Sequence, residues 1–166
     1  MKEIHTNLYI GNQNNYEYDV KLQSNWAVVH ACKEPYHRDL LNYTGRRLST
    51  SDPEYLVARR GDRLYLNLID ADSSLYISKK TIDSALEFIE EALSKDKKCL
   101  VHCNMGQSRS PSIGLLYLAM KKILPEDFQQ AEKEFKKIYP NYNPKGGIRR
   151  FVMKNWSTYV KGEDND

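Results

Sequence analysis

The chain has 166 residues, 40% of them hydrophobic, which supplies one ordinary globular core and not two. Its 25 Lys and Arg against 22 Asp and Glu leave a formal charge of +3, too small a surplus for nucleic acid or a membrane surface to be the main partner. Three cysteines, Cys32, Cys99 and Cys103, are odd in number and lack the spacing of a secreted disulfide framework, so a reducing, cytoplasmic setting is expected. No apolar leader follows Met1 and the longest apolar stretch is 113–120, so the expectation is a soluble protein with no membrane insertion.

In chain order, residues 8–10 and 26–31 read as short strands around a helical segment at 14–24. From 33 to 63 the periodicity fades into Pro, Gly, Ser, Asp and paired arginines, which predicts a long surface excursion. A strand follows at 64–69, then an acidic turn holding Asp70 and Asp72. Ile82, Leu86, Ile89 and Leu93 recur at helical spacing and predict a helix over 78–93, after which 99–102 resumes as a buried strand. Three further helices are predicted at 110–122, 125–138 and 145–160, ending in a frayed acidic tail at 162–166. Strands alternating with helices imply a layered α/β sheet in a single domain over 1–161.

The segment HCNMGQSRS, residues 102–110, stands between the strand at 99–102 and the helix after it. In open α/β sheets ligands bind at the carboxyl ends of strands, and the N–H groups of a tight loop and of a helix's first turn converge there on an anion. Gly106 permits the backbone such a cradle needs, Pro111 suits a first helical turn, and Arg109 offers a fork of donors that matches two phosphate oxygens. A cysteine at the base of this loop feels the same field, which favours its thiolate and makes Cys103 a nucleophile.

At these residues the chain resembles the cysteine-dependent protein tyrosine phosphatases, whose signature H-C-x-x-G-x-x-R-[S/T] is matched by His102, Cys103, Gly106, Arg109 and Ser110. The string from Gly106 to Pro111, with Tyr117 and Leu118 beyond it, is similar to the dual-specificity branch. Residues 8–11, Phe88 and Ile89, and 143–147 extend the likeness, while 33–63 has no counterpart in it. The resemblance implies the tyrosine phosphatase fold, a mixed and largely parallel sheet of four to five strands flanked by helices. It also implies that Cys103 attacks phosphorus, that Arg109 and the loop formed by Asn104, Met105, Gly106, Gln107 and Ser108 hold the phosphate, that Ser110 hydrogen-bonds the leaving sulfur, and that His102 fixes the loop. Asp72 is the expected general acid, because it lies where the family carries that acid, 31 residues before Cys103 and 16 before Phe88; Asp70 is expected to be solvated or to cap the turn.

No cofactor and no metal is implied. His30, Cys32, Cys99, His102 and Cys103 are soft ligands at adjacent strand ends, but their spacing matches no zinc module, alternate strand residues face opposite ways, and a metal leaves Gly106 and Arg109 unexplained. Cys32 is expected to pack at a strand end, a redox partnership with Cys103 being the alternative. The expected substrate is a phosphoprotein, because Asn104, Met105, Gln107 and Ser108 are all neutral where lipid-directed relatives carry basic residues. A phosphoinositide, phosphoglucan or RNA 5′-phosphate substrate stays open, as does a module that binds phosphoproteins without turnover; a monomer is expected. Residues 38–63 hold six of the nine arginines, Arg38, Arg46, Arg47, Arg59, Arg60 and Arg63, and no lysine. Either they are solvated, or they border the phosphate loop and meet acidic groups of the substrate.

Overall fold

The structure is a computed structural model, and it describes residues 1–45 and 47–162. Arg46 and, Gly162 apart, the expected frayed tail lie outside the described residues. Six strands among the described residues form one sheet: β1 (Lys2–His5), β2 (Leu8–Gly11), β3 (Trp26–His30), β4 (Val57–Arg60), β5 (Arg63–Leu66) and β6 (Lys98–His102), in the order β1-β2-β6-β3-β5-β4. The inner four, β2, β6, β3 and β5, are parallel, and antiparallel β1 and β4 close the two edges. The sheet is thus mixed and largely parallel, its six strands standing against the four to five expected, and β1 and β4 are the two to which the sequence reading assigned no range.

Because the inner strands run in one direction, the residues that follow Gly11, His30, Leu66 and His102 all emerge at the same end of the sheet. That shared carboxyl edge gathers the residues considered below. Among the described residues five α-helices accompany the strands: α1 (Arg38–Leu41), α2 (Lys79–Ser94), α3 (Arg109–Met120), α4 (Phe128–Ile138) and α5 (Gly146–Lys161). Every residue of α3 from Arg109 to Ala119 is buried, as befits a helix apolar all round that lies beneath its neighbours. The helix begins where β6 and its loop end, so the loop is held between a buried strand and a buried helix.

The stretch 33–63 carries regular elements at both of its ends. A helical turn, Lys33–His37, leads into α1, and β4 rejoins the sheet beside β5. His37 anchors the stretch: it is fully buried, its Nδ1 meets the Tyr43 hydroxyl at 2.9 Å, and its Nε2 meets the Glu54 carbonyl at 2.9 Å. Both ring nitrogens being used, burial costs the imidazole no unpaired polar atom.

The arginines divide along the same topology. β4 runs antiparallel to β5, so Arg60 pairs with Arg63, the first residue of β5, at the amino end of the sheet and opposite the shared carboxyl edge. There Arg59 makes a two-pronged ion pair with Glu91 of α2 and lies over the Phe88 ring, and Arg60 makes one with Glu54. Arg63 donates to the Trp26 carbonyl at 2.6 Å. These three do not border the loop at 102–110. Replacing Arg59 and Arg60 with Ala is therefore expected to leave KM for an acidic phosphopeptide, and its salt dependence, unchanged, and to shift the thermal midpoint only slightly, as exposed pairs do. Steady-state assays across ionic strength check this.

Candidate active site

Cys103 follows β6 directly and is buried, its Sγ lying 3.2 Å from the Ser110 hydroxyl. Ser110, in the first turn of α3, also donates to the Gly11 carbonyl at 3.1 Å. One hydroxyl proton serves two acceptors, so the bond follows the charge on sulfur. A neutral thiol leaves the proton on Gly11; a thiolate, the stronger acceptor, draws it to Sγ.

Gly106 sits at φ +70°, and a Cβ there would lie 2.9 Å from the Gly11 carbonyl oxygen, so both its conformation and its close approach to β2 exclude a side chain. The loop is then pinned from outside, one carbonyl or hydroxyl at a time. The Tyr139 hydroxyl donates to the Gly106 carbonyl at 2.7 Å, the Asn143 N–H to the Gln107 carbonyl at 2.7 Å, and the Lys145 N–H to the Ser108 hydroxyl oxygen at 2.9 Å. With its carbonyls turned outward onto these donors, the loop's own N–H groups are free to face inward.

The Arg109 guanidinium is buried at the rim, Nη1 donating to the Leu68 carbonyl at 3.0 Å and Nη2 to Asn104 Oδ1 at 2.6 Å. Its Nε is buried and has no hydrogen-bond partner among the described residues, a donor in search of an acceptor. Asn104, predicted as part of the phosphate loop, uses its side chain elsewhere: Nδ2 donates to Gln13 Oε1 and to the Glu34 carbonyl. It therefore orients Arg109 and ties the loop to the helical turn at 33–37. Met105 is 70% exposed at the loop's outer edge.

The turn after β5 carries both acids, and they differ. Asp70 is half-buried and accepts from the Ser108 hydroxyl at 2.8 Å, so it braces the phosphate loop where the sequence suggested a solvated or turn-capping residue. Asp72 is exposed, its backbone carbonyl accepting from Arg150 of α5. Gly147, one turn earlier on α5, packs so tightly on the Ala71 carbonyl that a Cβ has no room. Gly147→Ala is expected to push the acid turn outward and slow poor leaving groups more than activated aryl esters, which a comparison of the two ester types checks.

His102 and its neighbours carry the clearest electrostatic signature. Burial pulls the His102 imidazole down to about 4 from an ordinary value of 6.5, and burial likewise pulls His30 well below that value. Both rings are therefore neutral in the fold. The unfolded chain takes up protons below about 6.5 that the folded chain refuses until about 4, so folding stability is expected to fall across that window as pH drops. Urea midpoints measured from neutral to acid pH check the sign. Burial pushes Cys32 and Cys99 the other way, each up to about 12, and leaves them poor nucleophiles.

The structure thus brings His102, Cys103, residues 104–108, Arg109 and Ser110 into one cradle, with Asp72 on the adjoining turn. Sequence reasoning missed Tyr139, Gln13, the Leu68 carbonyl and Gly147; only Gly147 lay in a stretch, 143–147, already singled out.

A family model described as "Dual specificity phosphatase, catalytic domain" matches residues 41–152. Human dual specificity protein phosphatase 9 is 32% identical over 95 residues, 56% of this chain and 25% of that protein. Human dual specificity protein phosphatase 4 is 35% identical over 81 residues, 48% of this chain and 21% of that protein. The chain spans about a quarter of the length of these relatives. Among solved structures, a leucine rich repeat and phosphatase domain containing protein from Entamoeba histolytica superposes with a TM-score of 0.64 at 15% identity, covering 99% of this chain and 95% of that one. The human tyrosine phosphatase-like serine/threonine/tyrosine-interacting protein gives 0.64 at 20% identity, covering 96% and 97%. At these identities the likeness is one of fold.

Proposed function

Because the chain belongs to the family of dual specificity phosphatase catalytic domains, we propose that it hydrolyses phosphomonoesters of tyrosine and of serine or threonine in proteins, through a cysteinyl-phosphate. The observation that carries this reading is Cys103 Sγ seated against Ser110 at the floor of a loop whose rim holds a buried guanidinium with an unused donor.

In the first step Sγ attacks phosphorus, the S–P bond forms, and the P–O ester bond breaks as Asp72 hands its proton to the departing oxygen. In the second, water attacks phosphorus and gives a proton back to the Asp72 carboxylate. The S–P bond breaks and thiolate returns, met by the Ser110 hydroxyl. Arg109 and the N–H groups of residues 104–109 face the equatorial oxygens in both steps and stabilise the charge that moves onto them. His102 holds the peptide of Cys103 through Nδ1 and touches no substrate atom.

A protein substrate is favoured over a lipid because the loop positions between Cys103 and Arg109 add no positive charge to meet further phosphates. No helix among the described residues is long and apolar enough to cross a membrane, and a nucleophile kept as a free thiol favours the reducing cytoplasm. A side-by-side assay of phosphopeptides, phosphoinositides and phosphoglucan, each with and without vanadate, tests the reading. Vanadate-sensitive turnover of phosphotyrosine and phosphothreonine peptides is expected, and turnover of a non-protein substrate alone would replace the substrate class.

A further inference from the structure

His102 has a second partner that the reaction does not explain. Its Nε2 lies 2.7 Å from Nδ1 of His30, which stands beside it in the register of β3 and β6, and both rings are fully buried. Three tyrosines wall the pair in. Tyr36 and Tyr65 stack on His30 with ring centroids 4.5 and 4.6 Å away, while Tyr16 stacks on His102 at 5.2 Å and meets His30 edge-on at 4.5 Å.

The hydrogen bonds fix the protons. His102 Nδ1 lies 3.2 Å from the Cys103 carbonyl oxygen, which only accepts, so the proton sits on Nδ1 and leaves Nε2 bare. A bare Nε2 at 2.7 Å needs a donor, so His30 carries its proton on Nδ1. His30 Nε2 is then also bare, and it has no hydrogen-bond partner among the described residues. Without the His30 donor, His102 is free to move its proton to Nε2 and turn a lone pair on the Cys103 carbonyl.

We propose that His30 is a positioning residue for the nucleophile: resting on the phosphatase reading, it locks the His102 tautomer, which pins the Cys103 carbonyl and aims the following N–H groups at the sulfur and the phosphate. The chain runs from His30 Nδ1–H through His102 to the peptide of Cys103. Charged or titratable groups that face the pair are Tyr16 and Glu17 from the helical segment at 15–20, Lys21 just after it, Tyr36 from the turn at 33–37, Arg63 and Tyr65 from β5, Cys103 from the loop and Arg109 at the start of α3.

Two variants separate positioning from packing. His30→Phe keeps a flat ring among the tyrosines and removes the donor; His30→Asn places a side-chain N–H where Nδ1 stood. The readouts are the pH profile of Cys103 alkylation by iodoacetamide, with Cys103→Ser as the blank for buried Cys32 and Cys99, and kcat and KM on an aryl phosphate. For His30→Phe the alkylation profile is expected to move about one unit to higher pH. Its kcat is expected to fall about tenfold at little change in KM, and His30→Asn to recover both. Wild-type profiles in both variants, or losses in both that only follow their thermal midpoints, would overturn the proposal. A measurement on the wild-type chain needs no variant: ring-nitrogen NMR is expected to show Nδ1–H on both histidines, and an Nε2–H on His102 overturns it. Alkylation and NMR do not require turnover, so an inactive wild type would remove the phosphatase reading and leave the tautomer lock to be judged by itself.

Discussion

Cys103→Ser is expected to lose turnover by about 10⁴-fold or more, the scale on which removal of an essential nucleophile costs a hydrolase, while vanadate and phosphate still bind. The hydroxyl of a serine stays protonated where a thiol ionises, so nothing attacks phosphorus, yet the cradle is made of backbone N–H groups and Arg109 and does not depend on sulfur. The loop's anchors, Tyr139 on the Gly106 carbonyl and Asn143 on the Gln107 carbonyl, are untouched by the change. Isothermal titration with vanadate, alongside an aryl phosphate assay, checks both halves. Retained turnover would sink the mechanism, and lost binding would mean that the sulfur, not the backbone, organises the cradle.

The second large effect belongs to the acid. Asp72→Asn is expected to slow alkyl phosphate esters, phosphothreonine peptides among them, by ~10²–10⁴-fold, and a nitrophenyl phosphate far less, since a nitrophenolate departs without a proton. The neighbouring acid behaves differently. Asp70→Asn keeps an oxygen for the Ser108 hydroxyl, so it should leave the leaving-group dependence as it is, whereas Asp70→Ala removes that brace and should slow both ester types together. The exposed carboxylate of Asp72 and the tethered one of Asp70 thus make opposite predictions from positions two residues apart. A plot of rate against leaving-group basicity for each variant reads them out, and a steeper slope in Asp70→Asn would transfer the acid's role to Asp70.

Why the cradle was readable in the sequence and much of its support was not follows from where the constraints lie. Gly106, Arg109 and Ser110 sit within one strand-loop-helix unit, so their types and spacing are set locally, and the apolar run of α3 announces a buried helix. The edges are another matter. β1 and β4 are four residues each, and two of four positions in each are exposed, so neither Lys2–His5 nor Val57–Arg60 carries the alternation of a half-buried strand. The charged pair at its end makes β4 look like loop, although Arg59 and Arg60 are held by Glu91 and Glu54. His37 ties the helical turn at 33–37 to Tyr43 and Glu54, partners at separations that no local pattern marks.

The supports of the loop are long-range in the same sense. Tyr139 meets Gly106 and Gln13 meets Asn104 only once the chain has folded, and their residue types fit many other roles. His30 is the sharpest instance. Read as a possible soft ligand, it turns out to be bound to His102 across two parallel strands, a contact set by register alone. Asp70 shows the converse: its type was noticed, but its tie to Ser108 depends on how the turn after β5 folds back over the loop.

The central claim is that Cys103 carries the phosphoryl group between the two steps, and rapid quenching in acid followed by mass spectrometry of the digested protein addresses it most directly. During turnover of a phosphotyrosine peptide, the peptide holding Cys103 is predicted to gain the mass of one phosphoryl group, on sulfur, and to lose it as substrate runs out. Turnover with that peptide unmodified, or with the group on another residue, would contradict the account.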